Sequence, residues 1–149
     1  QHTKVLHPGL AYQHGKQHEF PHRFFFYLSH LECVPCADMG ALHHYEDLGE
    51  PWDMREKVDD YRAFLEDWHV PDLPIAITET GAEVGGFHNN TESEQADIVG
   101  RSLEYCALIE TPICIVYRGG DEEEGPMFGL FRFDGTPRPA WSKFLKVVR

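Results

Sequence analysis

Among the 149 residues, the side chain best placed to do chemistry is Glu79. It stands near the end of the run from Leu73 to Gly81, where a short apolar and β-branched segment, Ile75 to Thr78, is entered through Pro74 and left through Gly81. That is the punctuation of a buried parallel strand. With a two-residue period, Ile75, Ile77 and Glu79 are expected on one face, an apolar row ending in an acid. A charge at such a place is costly unless a site uses it. The alternative is a loop-edge glutamate that faces water. Upstream, Ala37 to Tyr45 reads as a second buried strand, with Ala41, His43 and Tyr45 on one face and Leu42 and His44 on the other. His44 is read as a core histidine. Tyr117 closes a further apolar run that begins at Pro112. Carboxylate, imidazole and phenol groups are thus gathered at strand ends.

Other reactive residues are less persuasive. Cys33 and Cys36 have redox or half-zinc spacing, but Cys106 and Cys114 do not supply a second ligand pair. The Cys33–Cys36 segment is expected to close a helix, whereas a thioredoxin-like pair opens one. All four cysteines are read as structural or incidental thiols. Of the ten histidines, only His14 and His18 with Glu19 have helix-borne metal spacing, and this is taken as coincidence. Neither a metal nor another cofactor is expected.

The elements that position these groups alternate. Lys4 to Leu10 is a short strand candidate broken by Pro8 and Gly9, and Ala11 to Gln17 a polar loop. From His18 to Leu31, apolar residues recur at helical spacing. Pro51 to Trp68 is an amphipathic helix with Met54, Val58, Tyr61, Leu65 and Trp68 inward. Thr91 and Glu94 have capping-box spacing and open a helix to about Ile109 that buries Val99, Leu103, Cys106 and Ala107. Pro112 to Tyr117 is the last strand. The acidic run Asp121 to Glu124 is read as a solvated edge, Asp134-Gly135 as a turn, and Pro139 as the first turn of a closing helix.

Strand and helix therefore alternate through one domain, residues 1–149, which makes the chain an α/β protein with a parallel sheet. An open doubly wound sheet and a segment of a (β/α)8 barrel compete. No G-x-G-x-x-G turn follows the first strand, and the candidate polar residues crowd the C-terminal ends of strands, where a barrel keeps its active site.

Composition limits the partners. A hydrophobic content of 42% with 26% charged residues is that of an ordinary globular domain. The formal net charge of −12 opposes binding to nucleic acid or to an anionic membrane surface. No apolar run approaches the roughly eighteen residues of a membrane span, and the opening Gln1-His-Thr-Lys lacks a signal core, although a missing leader leaves the compartment open.

Four segments together resemble the C-terminal half of a clan A retaining glycoside hydrolase, a TIM-barrel family. They are Asp38-x-x-x-Leu-His43-x-Tyr45, Ile75-x-Ile-Thr-Glu79-x-Gly81, the strand near Tyr117, and the closing Gly129-Leu-Phe-x-x-Asp-Gly135-Thr-x-Arg-Pro-Ala140. The resemblance covers about Lys4 to Leu145, in register with strands five to eight. It implies a (βα)4 half of a TIM barrel in which Glu79 is the catalytic nucleophile and Tyr45 orients it by a hydrogen bond. His43 and Tyr117 would line the sugar-binding subsite, and the closing segment would set the last helix. In the family the acid/base glutamate lies at the end of strand four, which this chain does not include. Glu46 and Glu83 are the only nearby acids, and neither holds a matching position.

The expected function is therefore the nucleophile side of a retaining β-glycosidase site, with little or no activity until the half bearing the acid/base is supplied. The expected ligand is a β-linked glycoside. Unpaired first and last strands drive association, so a homo-oligomer or a complementing N-terminal half-barrel is expected as partner. The alternative is a carbohydrate-binding or scaffolding module without turnover, with Tyr45, Tyr117, Phe87 and Trp52 as stacking faces. A metal or redox role through Cys33, Cys36 and the histidines is the third.

Overall fold

A computed structural model describes residues 4–6, 10–11, 29, 36–45, 54–85 and 89–148. The element order is β1 (Leu10–Ala11), β2 (Gly40–Tyr45), α1 (Met54–Asp67), β3 (Ile75–Gly81), α2 (Glu92–Leu108), β4 (Cys114–Val116) and α3 (Pro139–Val147). The strands form one parallel sheet in chain order, β1-β2-β3-β4. The expected helix from His18 to Leu31 lies outside the described residues except at Ser29, which is helical. Cys33, Glu46, Trp52, Phe87, His14, His18 and Glu19 also lie outside them.

Apolar periodicity accounts for α1. Met54, Val58, Tyr61 and Leu65 are buried together with Phe64, and Trp68 is packed against them. Each such side chain contributes roughly 1.5–3 kcal/mol on burial. The strand it covers begins at Gly40, not at Ala37, and a Cβ at position 40 would stand 2.8 Å from the Tyr61 side chain. Only glycine lets sheet and helix approach so closely. Just before it, the Asp38 carboxylate accepts the Val5 N–H at 2.7 Å, which ties the chain start to the entry of β2. The first strand is also displaced from its expected place: Leu6 makes an isolated bridge to Met39, and the ladder proper pairs Leu10 with Leu42 and Ala11 with His43.

The capping box at the start of α2 is complete. Thr91 Oγ1 accepts the Glu94 N–H at 3.2 Å, and the Glu94 carboxylate accepts the Thr91 N–H at 2.7 Å. The bond from the Thr91 N–H, and then that from the Thr91 hydroxyl at 2.8 Å, hold the Glu94 carboxyl below its usual range. Val99, Leu103 and Cys106 are buried as expected, whereas Ala107 is exposed, one position off the inward stripe. Helices α1 and α2 both end on a left-handed residue, His69 at φ 59° and Glu110 at φ 51°. In each, paired backbone bonds close the last turn, Val70 N to Leu65 O at 2.9 Å in one and Thr111 N to Cys106 O at 3.1 Å in the other. Pro139 stands in the first turn of α3, where its missing N–H is harmless.

The described helices lie on one face of the sheet. Leu42, Ile75 and Ile77 share a core with α1 and with Cys106 of α2. Cys114 and Val116 pack against a second core formed by Ala96, Val99 and Leu103 of α2, Leu130, and Ala140 of α3. The other face carries His43, Tyr45, Ile115 and Tyr117; Ile115 is 49% and Tyr117 38% exposed. Strands without reversal of order and helices on one side are the layout of a barrel wall, whereas a doubly wound sheet carries helices on both sides. On the face away from the described helices Ala41 and Ala76, early in β2 and β3, are buried, and the strands open to solvent only toward their C-terminal ends. No helix among the described residues is long and apolar enough to cross a membrane.

Candidate active site

The side chains singled out from the sequence meet on the open face. Tyr45 Oη donates to Glu79 Oε2 at 2.6 Å, and His43 Nδ1 lies 3.4 Å from the same oxygen. Burial, and then the bond to Glu79, push the Tyr45 phenol above its usual range, so it stays a neutral donor at any physiological pH. The His43 and Glu79 side chains are 23% and 37% exposed, so both are reachable from solvent.

Glu79 arrives there by a route that alternation did not anticipate. Ile75 and Ile77 belong to the helix-facing core, while Glu79 is bonded to residues of the opposite face. The pairing explains the reversal: Leu42 stands opposite Ile77, but His43 stands opposite Glu79, leaving Thr78 as the extra residue of a bulge. A one-residue slip flips every following side chain to the other face. The expected single row of Ile75, Ile77 and Glu79 is thus corrected. The acid reaches the site because the strand is irregular. The bulge recurs in the pairing with β4, between Ile77 and Thr80.

Beyond the bulge β3 runs close under β4. The Tyr117 N–H bonds to the Thr80 carbonyl at 2.8 Å, and a Cβ at Gly81 would collide with the Tyr117 carbonyl oxygen. The Tyr117–Arg118 peptide is cis. Tyr117 meets the Tyr45 ring edge-on, with centroids 6.2 Å apart, and Arg118 lies over the outer face of Tyr117 at 5.9 Å.

Three residues of the site were not foreseen. Phe128 packs edge-on against both Tyr45 and Tyr117, at 5.6 Å to each. Gln95, fully buried on α2, directs its amide nitrogen at the carbonyls of Ala82 (3.1 Å) and Phe128 (3.3 Å), joining the segment after Glu79 to the one bearing Phe128. Asp121, expected in a solvated acidic run, is instead buried in an ion pair with Arg138, and it accepts the Gly129 N–H at 2.7 Å. The acidic-run expectation holds for Glu122, Glu123 and Glu124, which are exposed, Glu122 also pairing with Arg118 at 2.8 Å. Arg138 also reaches the Gly129 carbonyl and Glu92, which Arg132 holds as well. The bonds from Arg132, then those from Arg138, keep the Glu92 carboxyl below its usual range.

His44 is fully buried. Cys36 is disulfide-bonded, which corrects its reading as a free structural thiol, and Cys106 and Cys114 are free. Among the described residues no three His, Cys, Asp or Glu side chains converge as a metal ion would require.

No protein-family model matches the sequence, and no curated protein matches it either. Solved structures match the fold. A GH128 subgroup I endo-β-1,3-glucanase from Amycolatopsis mediterranei, solved in complex with laminaritriose, superposes with a TM-score of 0.72 at 18% identity over 97% of this chain and 58% of that one. A glucosidase from Croceicoccus marinus gives 0.73 at 21% identity, over 97% of this chain and 31% of that one. Xylanase 10B from Thermotoga maritima gives 0.57 at 19% identity, over 91% and 43%. The chain therefore spans a little over half the length of the glucanase, and the fold it shares is that of glycoside hydrolases.

Proposed function

We propose that these residues form the nucleophile side of a retaining β-glycoside hydrolase site, carried on a (βα)4 portion of a clan A TIM barrel equivalent to strands five to eight. The observation that carries this reading is the convergence of Tyr45 and His43 on one oxygen of Glu79. With Oε2 so engaged, Oε1 is the atom that attacks an anomeric carbon, and the phenol stabilises the remaining charge. His43 and Tyr117 line the subsite that receives the sugar ring. A β-linked glucan is the favoured ligand class, since a structural neighbour was solved with laminaritriose.

Retaining hydrolysis needs a second carboxylate about 5–5.5 Å from the first to protonate the leaving oxygen. On this reading that group comes from polypeptide outside these 149 residues, either a complementing half-barrel or a partner chain docked along the open face and the edges of β1 and β4. Protonation of the leaving group contributes about 10²–10⁴-fold, so the chain by itself turns over only glycosides whose leaving group needs no proton. The test is hydrolysis of a dinitrophenyl β-glucoside with and without Glu79→Gln. Slow release that disappears in the variant supports the nucleophile; release unchanged in the variant removes Glu79 from the mechanism.

The ring cluster of Tyr45, Tyr117 and Phe128 beside the acid favours one second reading, a carbohydrate-binding module without turnover. Laminarin oligosaccharides bound without cleavage or covalent adduct would support it, and a glycosyl adduct on Glu79 would exclude it.

A further inference from the structure

Asparagine occurs twice in the chain, as the neighbours Asn89 and Asn90, and the turn before α2 gives the two opposite environments. Asn90 is 4% exposed. Its Nδ2 donates to the Glu83 carbonyl at 2.9 Å, and its own carbonyl accepts the Gly85 N–H at 2.7 Å, which closes the loop that follows β3. Asn89 is exposed and left-handed at φ 54°, a backbone that asparagine tolerates better than most residues. Two positions on stands Thr91, also exposed, at the start of α2. Asn89-Asn90-Thr91 is therefore an Asn-x-Thr acceptor sequence, without proline in the middle, carried on a surface turn. Asn90 is no acceptor, because Glu92 stands two residues after it. A separate observation points to the compartment in which such sequences are used. Cys36 is disulfide-bonded, and disulfides form and persist in oxidising, secretory surroundings.

We propose that Asn89 is a modification site that carries an N-linked oligosaccharide. The donor is a lipid-diphosphate-linked oligosaccharide. Asn89 Nδ2 attacks the anomeric carbon of its first sugar, and the N–C bond forms as the C–O bond to the diphosphate breaks. The lipid diphosphate leaves with that electron pair, and the amide nitrogen gives up one proton. Thr91 serves twice. In the unfolded chain its hydroxyl completes the acceptor sequence; in the folded one it accepts the Glu94 N–H at 3.2 Å and caps α2. The folded turn has room for the sugar, since Asn90 and not Asn89 makes the bonds that close the loop. The glycan would stand on the connection from the Glu79 strand to α2, a connection that the bond from Val84 N to the Met127 carbonyl at 2.9 Å holds beside the Phe128 segment. The proposal is independent of the chemistry at Glu79.

The test expresses the full chain behind a cleavable leader in a eukaryotic secretory host and recovers it from the medium and from the secretory lumen. Its intact mass is read before and after peptide N-glycosidase, and the peptides are then mapped. The expected result is a chain heavier by one oligosaccharide, which the enzyme returns to the polypeptide mass with Asn89 converted to aspartate. Thr91→Ser keeps both the cap and the acceptor sequence and is expected to stay glycosylated. Asn89→Gly suits the left-handed backbone and is expected to fold and be secreted without the sugar. Wild-type chain at the bare polypeptide mass in both pools would overturn the proposal, and so would an oligosaccharide that persists in Asn89→Gly. Secretion of Asn89→Gly with the glycosylated wild type held back in the lumen would overturn it too, because the folded turn would then have no room for the sugar.

Discussion

Replacing Arg138 by methionine isolates the contact that holds the Phe128 segment in place. Arg138 and Asp121 are each 4% exposed at the side chain, so removing the cation leaves a carboxylate buried without its counter-charge. Breaking a buried pair from one side costs about 3–5 kcal/mol. Part of the loss is spared, because Asp121 keeps the Gly129 N–H and Glu92 keeps Arg132, and the expected destabilisation is about 3 kcal/mol. With a urea dependence of about 2 kcal/mol per molar, the unfolding midpoint should fall by about 1.5 M. The companion variant Asp121→Leu and the double variant complete a cycle. Once both charges are gone there is no buried ion left to solvate, so the double variant should lie nearer to wild type than the two single losses summed, with a coupling of about 2 kcal/mol. A midpoint for Arg138→Met within about 0.5 M of wild type would refute this account of the pair. Single losses that simply add would do the same.

Two further outcomes are expected. Tyr45→Phe removes the 2.6 Å bond to Glu79; a bond to a charged acceptor contributes about 1.5–3 kcal/mol, so kcat/KM for the activated glucoside should fall about tenfold to a hundredfold. Equal rates would show that the phenol does not assist the acid. Glu110→Gly relieves a left-handed backbone at φ 51° on an exposed residue. The relief of about 1–2 kcal/mol outweighs the entropy that glycine loses on folding, about 0.5–1 kcal/mol. Calorimetry should show Tm rising by about 2–4 °C, and a lowered Tm would contradict the assignment of strain there.

The alternating architecture was legible because its signals are local. The Met54–Leu65 stripe, the Thr91–Glu94 box and Pro139 each act within a turn or two of chain. The gathering of His43, Tyr45, Glu79 and Tyr117 was legible too, since in a parallel sheet C-terminal strand ends lie on one rim. The reason given for the direction of Glu79 was not. A bulge depends on how two strands pair, and no periodicity within Ile75–Gly81 reveals it. Asp121 was misjudged for a similar cause: its partner Arg138 is distant in the chain, and nothing in an acidic run marks which member turns inward. Gln95 and Phe128 look like one polar helix residue and one loop aromatic until β3 and β4 are brought together.

The extra residue at Thr78 separates what β3 does for the fold from what it does for the cleft. Up to Ile77 the strand answers to the helices; from Glu79 on it answers to whatever enters the open face. Ironing out the bulge with Thr78 retained would keep every hydrophobic anchor and swing the acid into the helix layer, whereas deleting Thr78 would leave it on the open face. A lineage could go silent by that single change in pairing with its sequence length and hydropathy profile untouched, so descendants of this scaffold are better sorted by whether the neighbouring strands keep the bulge than by residue count.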